Sequence, residues 1–255
     1  MASRPIYEFY AELDDYRPKI WRRFQVIDNT SFARFGYIIQ VLFEMTASHL
    51  MAIEVPEGEN FHACIKAKLP DDPIDLSIFG IKKDRLVRYE IPNDDDDEEM
   101  FSDPSGNTEV LDATKFCLYS SVTHLNDKVS FNYDFGDDWR VSLTLEKSFT
   151  DKDLPGRELP RVLEGAGFGI VEDVGGTTGL EDLVRAFKKK KGDEYEEYRE
   201  WLGVDDIDIT AFDPDDMNFR LKKIPRIYKA IYEDNQQPTQ QSIDLIERKY
   251  KQNKR

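Results

Sequence analysis

The 255-residue chain predicts an α+β fold: a mainly antiparallel sheet with helices packed on one face and a helical C-terminal extension. Alternating apolar and polar residues recur in pairs of short segments joined by turn residues, the signature of hairpins. A helical stripe separates the first pair from the rest. Beyond Pro155 and Pro160 the apolar spacing becomes helical and strands give way to helices.

The first element, Ile6–Leu13, puts Tyr7, Phe9, Ala11 and Leu13 on one face and Glu8 and Glu12 on the other. After the turn signal Tyr16-Arg17-Pro18, residues Ile20, Arg22, Phe24 and Val26 share a side opposite Trp21, Arg23 and Gln25, which completes a hairpin. Thr30 or Ser31 can cap a helix bearing Phe32, Phe35, Ile39 and Leu42 at three- and four-residue spacing. Residues 49–55 and 61–68 alternate on either side of Pro56-Glu57-Gly58-Glu59-Asn60, which predicts a second hairpin. Residues 93–107 carry the acidic run Asp94 to Glu99 and then Asp103-Pro104-Ser105-Gly106, the composition of a mobile surface loop. That run lacks the spaced ligands and inner glycine of a calcium loop.

Val129, Phe131, Tyr133 and Phe135 alternate up to Gly136-Asp137-Asp138, and Trp139, Val141, Leu143 and Leu145 alternate after it, so a third hairpin turns there. Leu180, Leu183, Val184 and Phe187 form a helical stripe capped near Thr178, and Tyr195 to Leu202 forms another. Pro225 suits the first turn of a helix running through Tyr232, and Thr239 can cap a last helix bearing Ile243, Leu245, Ile246 and Tyr250. The expected organisation is one α+β domain over residues 1–221 and a helical extension over 222–255.

Composition narrows the function. Lys+Arg 35 against Asp+Glu 51 leaves a net charge of -16, which repels nucleic-acid backbones and anionic lipid unless a local basic patch intervenes. No apolar stretch is long enough for a membrane span, and the amino terminus lacks the apolar core of a signal peptide, so a cytoplasmic protein is expected. Cys64 and Cys117 fit no paired-ligand spacing and read as buried thiols. His49, His62 and His124 are scattered without a nucleophile motif, and Trp21, Trp139 and Trp201 read as core.

Several segments, taken in order, resemble a known family. Arg17-Pro18-Lys19-Ile20-Trp21-Arg22-Arg23, Thr30, Phe32, Ile38-Ile39-Gln40 and His49-Leu50 are followed by Tyr133-Asp134-Phe135-Gly136-Asp137-Asp138-Trp139 with Leu143, Leu145 and Glu146. Glu172-Asp173-Val174-Gly175-Gly176-Thr177-Thr178-Gly179, Trp201 and Phe212-Asp213-Pro214 complete the pattern. Over roughly residues 5 to 221 the chain resembles the Ri-plasmid open-reading-frame-three-like family, also carried as a passenger in insertion sequences. The resemblance implies an α+β fold of unassigned activity; the resolvase label that some members bear finds no recombinase constellation here. It also implies histidines and cysteines that this chain replaces. Gly36, Met51 and Val141 stand where histidines are usual, and Gly169, Ile170, Val171 and Val174 stand around the Glu-Asp pair where cysteines and prolines are usual.

The residues that carry possible chemistry are Arg22, His49, Asp134, Asp137, Asp138, Glu172 and Asp173. The carboxylates can converge into an oxygen-ligand site for magnesium or manganese, although turn chemistry alone also explains Asp137 and Asp138. Arg22, facing inward, needs a partner, and Asp134 or Asp137 is the expected one. Gly175, Gly176, Thr177 and Thr178 form a candidate anion-binding turn at a helix entrance, without the lysine of a phosphate loop. The basic clusters, Lys188 to Lys191 and the tail from Arg248, read as helix ends and a solvated tail. The expected function is a non-catalytic binding or accessory module associated with plasmids or mobile elements. Nucleic-acid binding and a metal-dependent enzyme built on the carboxylates are the alternatives. No cofactor or resident metal is indicated, a protein partner is open, and no membrane association is expected.

Overall fold

β1 (Ile6–Leu13) and β2 (Trp21–Ile27) pair antiparallel from Ile6↔Ile27 to Glu12↔Trp21, as their matched alternation requires. They belong to a sheet of the computed structural model, which describes residues 4–70, 80–92 and 106–247. The other strands are β3 (Met51–Val55), β4 (Leu86–Glu90), β5 (Thr108–Asp112), β6 (Lys128–Tyr133), β7 (Trp139–Phe149) and β8 (Arg161–Ala166). Their order is β5-β4-β3-β6-β7-β1-β2-β8, and every neighbouring pair is antiparallel except β4 and β5.

α1 (Phe32–Leu42) is capped by Ser31, whose side chain accepts from the Arg34 N–H; Thr30 instead bonds the Ile27 carbonyl. In sequence α1 joins β2 to β3, strands separated in the sheet by β1, β7 and β6, so it crosses the sheet and buries Phe32, Phe35, Ile39 and Leu42 against it. Phe35 lies on Phe9 and Phe24, with ring centroids 5.0 and 6.0 Å away. Around β1, β2 and β7 the opposite face is polar: Tyr10 stacks on Trp21, and Arg23 bonds Glu146 and Glu164.

The second predicted hairpin is a strand followed by a helix. After β3 the chain enters α2 (Glu57–Lys68), with Pro56 at its start, Glu57 and Glu59 in the first turn and Lys66 and Lys68 in the last, the charge order that a helix dipole favours. Gly58 sits where a Cβ would stand 2.1 Å from the Lys82 carbonyl oxygen, so the glycine serves close approach rather than reversal. The acidic run falls in residues 93–105, outside the described residues. A second correction concerns residues after Pro160: strand β8 pairs with β2 before any helix begins. Trp201 is 49% exposed rather than core, whereas Trp139 is fully buried; Cys64 and Cys117 are half-buried.

The carboxy-terminal half supplies α3 (Gly176–Lys189), α4 (Asp193–Leu202), α5 (Pro214–Leu221), α6 (Ile224–Tyr232) and α7 (Gln240–Ile246). α3 starts at Gly175, one of two consecutive glycines with positive φ, and Thr178 lies inside the helix rather than capping it. α5 and α6 pack on α1. There the buried Arg220 pairs with Glu44 at 2.6 Å, and the Tyr228 hydroxyl donates to the Met45 carbonyl at 3.1 Å.

Arg22 points inward, as the alternation predicts, but not onto Asp134 or Asp137. All five of its N–H groups donate to carbonyl oxygens: Nε to Leu42, Nη1 to Trp21 and Ala166, Nη2 to Gly167 and Phe168, at 2.7 to 2.8 Å. The guanidinium lies 4.5 Å from the Phe212 ring, and Gly165 leaves room for its stem. One side chain thus ties the end of α1 to the segment that follows β8. Replacing Arg22 by Met strands these buried acceptors, each worth about 1–3 kcal/mol when unsatisfied. We expect R22M to lower the unfolding free energy by at least about 3 kcal/mol, with R22K in between. Urea unfolding checks this, and parental stability in R22M would contradict it.

Candidate metal centre

Strand pairing brings two of the site's segments to one end of the sheet. Met51 of β3 pairs with Tyr133 of β6, and Tyr133 with Trp139 of β7, so His49 and Asp134 stand just beyond the last paired residues. The Asp134 N–H donates to the Leu50 carbonyl at 3.0 Å, extending the ladder by one bond. Asp134 adopts a φ of 51°, and its Oδ1 accepts from the Gly136 N–H at 3.1 Å, which tightens the turn into β7. The third segment is residues 167–175. Arg22 holds its start, and the Ile170 N–H donates to the Phe43 carbonyl at 2.9 Å. Gly169, at φ 144°, passes so close that a Cβ would lie 2.4 Å from the Phe43 oxygen.

The three segments meet at His49. Its Nε2 lies 3.2 Å from Asp173 Oδ1, 3.6 Å from Asp134 Oδ2 and 3.9 Å from Glu172 Oε2. One donor atom each from His49, Asp134 and Asp173 lies within 4.8 Å of the others. Two donors each about 2.1 Å from a dication at a tetrahedral angle stand ~3.4 Å apart, the range these separations bracket.

Glu172 has a divided environment. Its Oε1 accepts from the Thr46 N–H at 2.6 Å, the Thr46 hydroxyl at 3.0 Å and the Tyr133 hydroxyl at 2.9 Å. Its Oε2 is buried on the His49 side and has no hydrogen-bond partner among the described residues. Burial pushes the Glu172 carboxyl above the ordinary carboxylate range, against the opposing pull of those hydrogen bonds. Burial likewise raises the Tyr133 phenol, so its proton stays on and donates. Asp173 is 69% exposed, which leaves the cluster open to solvent on one side.

The remaining candidates part company with this cluster. Asp137 Oδ2 accepts from the Gly175 N–H at 3.0 Å, so the protein's own carboxylate occupies that donor of the candidate anion-binding turn. Gly176 packs on the Asp137 carbonyl, where a Cβ would lie 2.5 Å away, and Thr177 and Thr178 border a cavity shared with Asp14, Asp15 and Asp138. Asp138 pairs with Arg140 at 2.9 Å. Lys190 pairs with Asp206 at 2.5 Å and Lys189 approaches Glu194 at 4.0 Å, which neutralises part of the lysine cluster. Sequence reasoning missed Thr46 and Tyr133 as groups that hold Glu172. Tyr133 stood in plain view beside Asp134 in the motif, but only tertiary pairing shows which way its hydroxyl points.

The family model described as plasmid pRiA4b ORF-3-like protein matches residues 5–220. The chain belongs to the plasmid pRiA4b ORF-3-like family. A relative of this family member is the uncharacterized protein y4hQ of Sinorhizobium fredii, 27% identical over 200 residues, covering 78% of this chain and 81% of the relative. The crystal structure of MM3350, a protein of unknown function from Methanosarcina mazei Go1, superposes with a TM-score of 0.60 and 25% identity, over 83% of this chain and 97% of that one. The pRiA4b ORF-3-like resemblance implied histidines at positions 36, 51 and 141, and here Gly36 and Met51 meet. The Met51 sulfur lies 2.4 Å from where a Cβ at Gly36 would stand, and Phe131, paired with Val141, lies 3.5 Å from it. In this member, the Met51 thioether and the Phe131 ring fill the space beside Gly36.

A raised folded-state pKa means that the native protein holds the Glu172 proton more tightly than the unfolded chain does. The stability it contributes is therefore full below the unfolded value, about 4.3, and is lost as pH rises through the raised native value. Glu172→Gln removes that loss. The difference in unfolding free energy, variant minus parent, is expected to grow as pH rises from about 4 to 7, measured by urea unfolding. A difference that stays flat or shrinks would contradict the burial argument.

Proposed function

We propose that the protein is a non-catalytic binding module whose ligand at this site is a divalent transition-metal ion, held by His49, Asp134 and Asp173 with Glu172 closing the inner side. The observation that carries the reading is the spacing of the three carboxylate oxygens around one imidazole nitrogen, 3.2 to 3.9 Å. A mixed nitrogen and oxygen set suits zinc or manganese, whereas magnesium and calcium prefer oxygen alone. The buried Glu172 Oε2 supports the same reading, because a cation would satisfy an oxygen that has no hydrogen-bond partner among the described residues. The family description ties relatives to a plasmid, and an accessory role in a plasmid or mobile element is the biological setting we propose. Among the described residues no helix is long and apolar enough to cross a membrane.

Binding must stabilise the folded state: an ion at a hundred times its Kd adds about 2.7 kcal/mol. For a chain of this size that is a rise of about 5–10 °C in Tm. We expect zinc or manganese to produce it, magnesium and calcium to produce less, and His49→Ala or Asp134→Asn to remove it. Asp134→Asn keeps an oxygen for the turn, so its parental melting without metal separates a lost ligand from a damaged fold. No shift with any of the four ions would end the proposal.

A further inference from the structure

At the opposite end of α1 from His49 lies a cavity of about 390 Å³. Its wall joins residues 27–34, the segment before β8 and the junction of α5 with α6. The charged side chains that line it are Arg34, Arg157, Lys222 and Arg226, and no acidic residue lines it. In a chain with Asp+Glu 51 and Lys+Arg 35 this is an inversion of the average surface. Among the described residues, none of these side chains makes an ion pair or hydrogen bond, although most other arginines in the fold are paired.

Arg34 shows the consequence. It is half-buried, and burial first and then the charge of Arg226 push its guanidinium down, opposed by Glu233. Glu233 is engaged with Lys229 at 3.5 Å. Neither α1 nor α6 carries an acidic residue in its first turn, so the positive ends of both helices add to the field of the side chains. The first backbone donors of α1 are already used: the Phe32 N–H by the Phe116 carbonyl, the Ala33 N–H by the Ala113 carbonyl and the Arg34 N–H by the Ser31 hydroxyl. An anion here would be held by guanidinium forks, which grip phosphate oxygens in pairs. Ile27, Leu159, Pro160 and Leu221 supply an apolar wall beside them.

We propose that this cavity binds a small organic phosphate with two or more negative charges, its phosphates on Arg34 and Arg226 and its organic part against the apolar wall. The volume lies within the range of small-molecule sites, about 300–1,000 Å³. A long nucleic acid would meet the surrounding acidic surface of a chain with net charge -16, whereas a small anion enters the positive concavity alone.

The test uses the full chain with pyrophosphate, ADP and inorganic phosphate, followed by melting and by calorimetric titration at low salt. ADP and pyrophosphate are expected to raise Tm, ADP more than inorganic phosphate, with the effect shrinking as salt is added. The double variant Arg34→Gln/Arg226→Gln is expected to bind at least about tenfold more weakly, about 1.4 kcal/mol. Lys222→Gln/Arg226→Gln, confined to exposed positions, gives the same direction without touching the half-buried arginine. His49→Ala leaves the response intact, which separates this cavity from the metal centre. Equal binding by parent and both variants, no response to any of the three anions, or tighter binding of a short DNA or RNA duplex than of ADP would overturn the proposal.

Discussion

The geometry of the candidate centre depends on Arg22. A buried guanidinium is tolerable only when its donors are satisfied, and here they are satisfied by carbonyl oxygens from three separate stretches of chain. Leu42 ends α1 and leads into residues 43–50, which carry Thr46 and His49; Ala166, Gly167 and Phe168 lead into the segment that carries Glu172 and Asp173. Neither stretch has regular structure of its own to fix it near the site. A carboxylate partner for Arg22 would have neutralised its charge but tied together only two side chains. Carbonyl partners instead fix backbone, and backbone is what must be fixed for two loops to present ligands within about 4 Å of each other.

Glu172 gains from that rigidity. Tyr133 and Thr46 orient one oxygen, so the other faces His49 without freedom to turn toward water. Asp173, by contrast, meets His49 from an exposed position. The centre therefore combines one fixed inner carboxylate, one carboxylate fixed by its turn and one at the rim, a gradient from preorganised to adaptable.

Much of this was legible from residues alone, and what was not has a physical reason. The hairpins β1–β2 and β6–β7 follow from alternation, because one face of each is buried and the other is not. Residues 61–68 misled, since an amphipathic helix with a weak stripe and the sequence Phe61-His62-Ala63-Cys64 mimics alternation; dipole-ordered charges at both ends decided for helix. β4, β5 and β8 sit toward the sheet edges with mixed burial, so their period-two signal is faint. His49, Asp134, Glu172 and Asp173 were identifiable as polar residues in motif context. Their separation from Asp137 and Asp138 was not, because a turn that bends by positive φ at both Asp134 and Asp138 sends neighbours in sequence to different surroundings.

The two charged regions lie at opposite ends of one helix, α1, about 16 Å long. Its amino-terminal end, positive by the alignment of peptide dipoles, faces the arginine-lined cavity, and its carboxy-terminal end, negative, leads to the carboxylates. At the first end Arg34 and Arg226 meet a dipole of their own sign, whereas at the second Arg22 donates to the Leu42 carbonyl, the placement that a helix dipole favours. Side chains selected only for stability would put acids at the first end and bases at the second, as α2 does with Glu57, Glu59, Lys66 and Lys68. Along α1 only the second end follows that order, so the amino-terminal end, where Arg34 meets a dipole of its own sign, is the costly one.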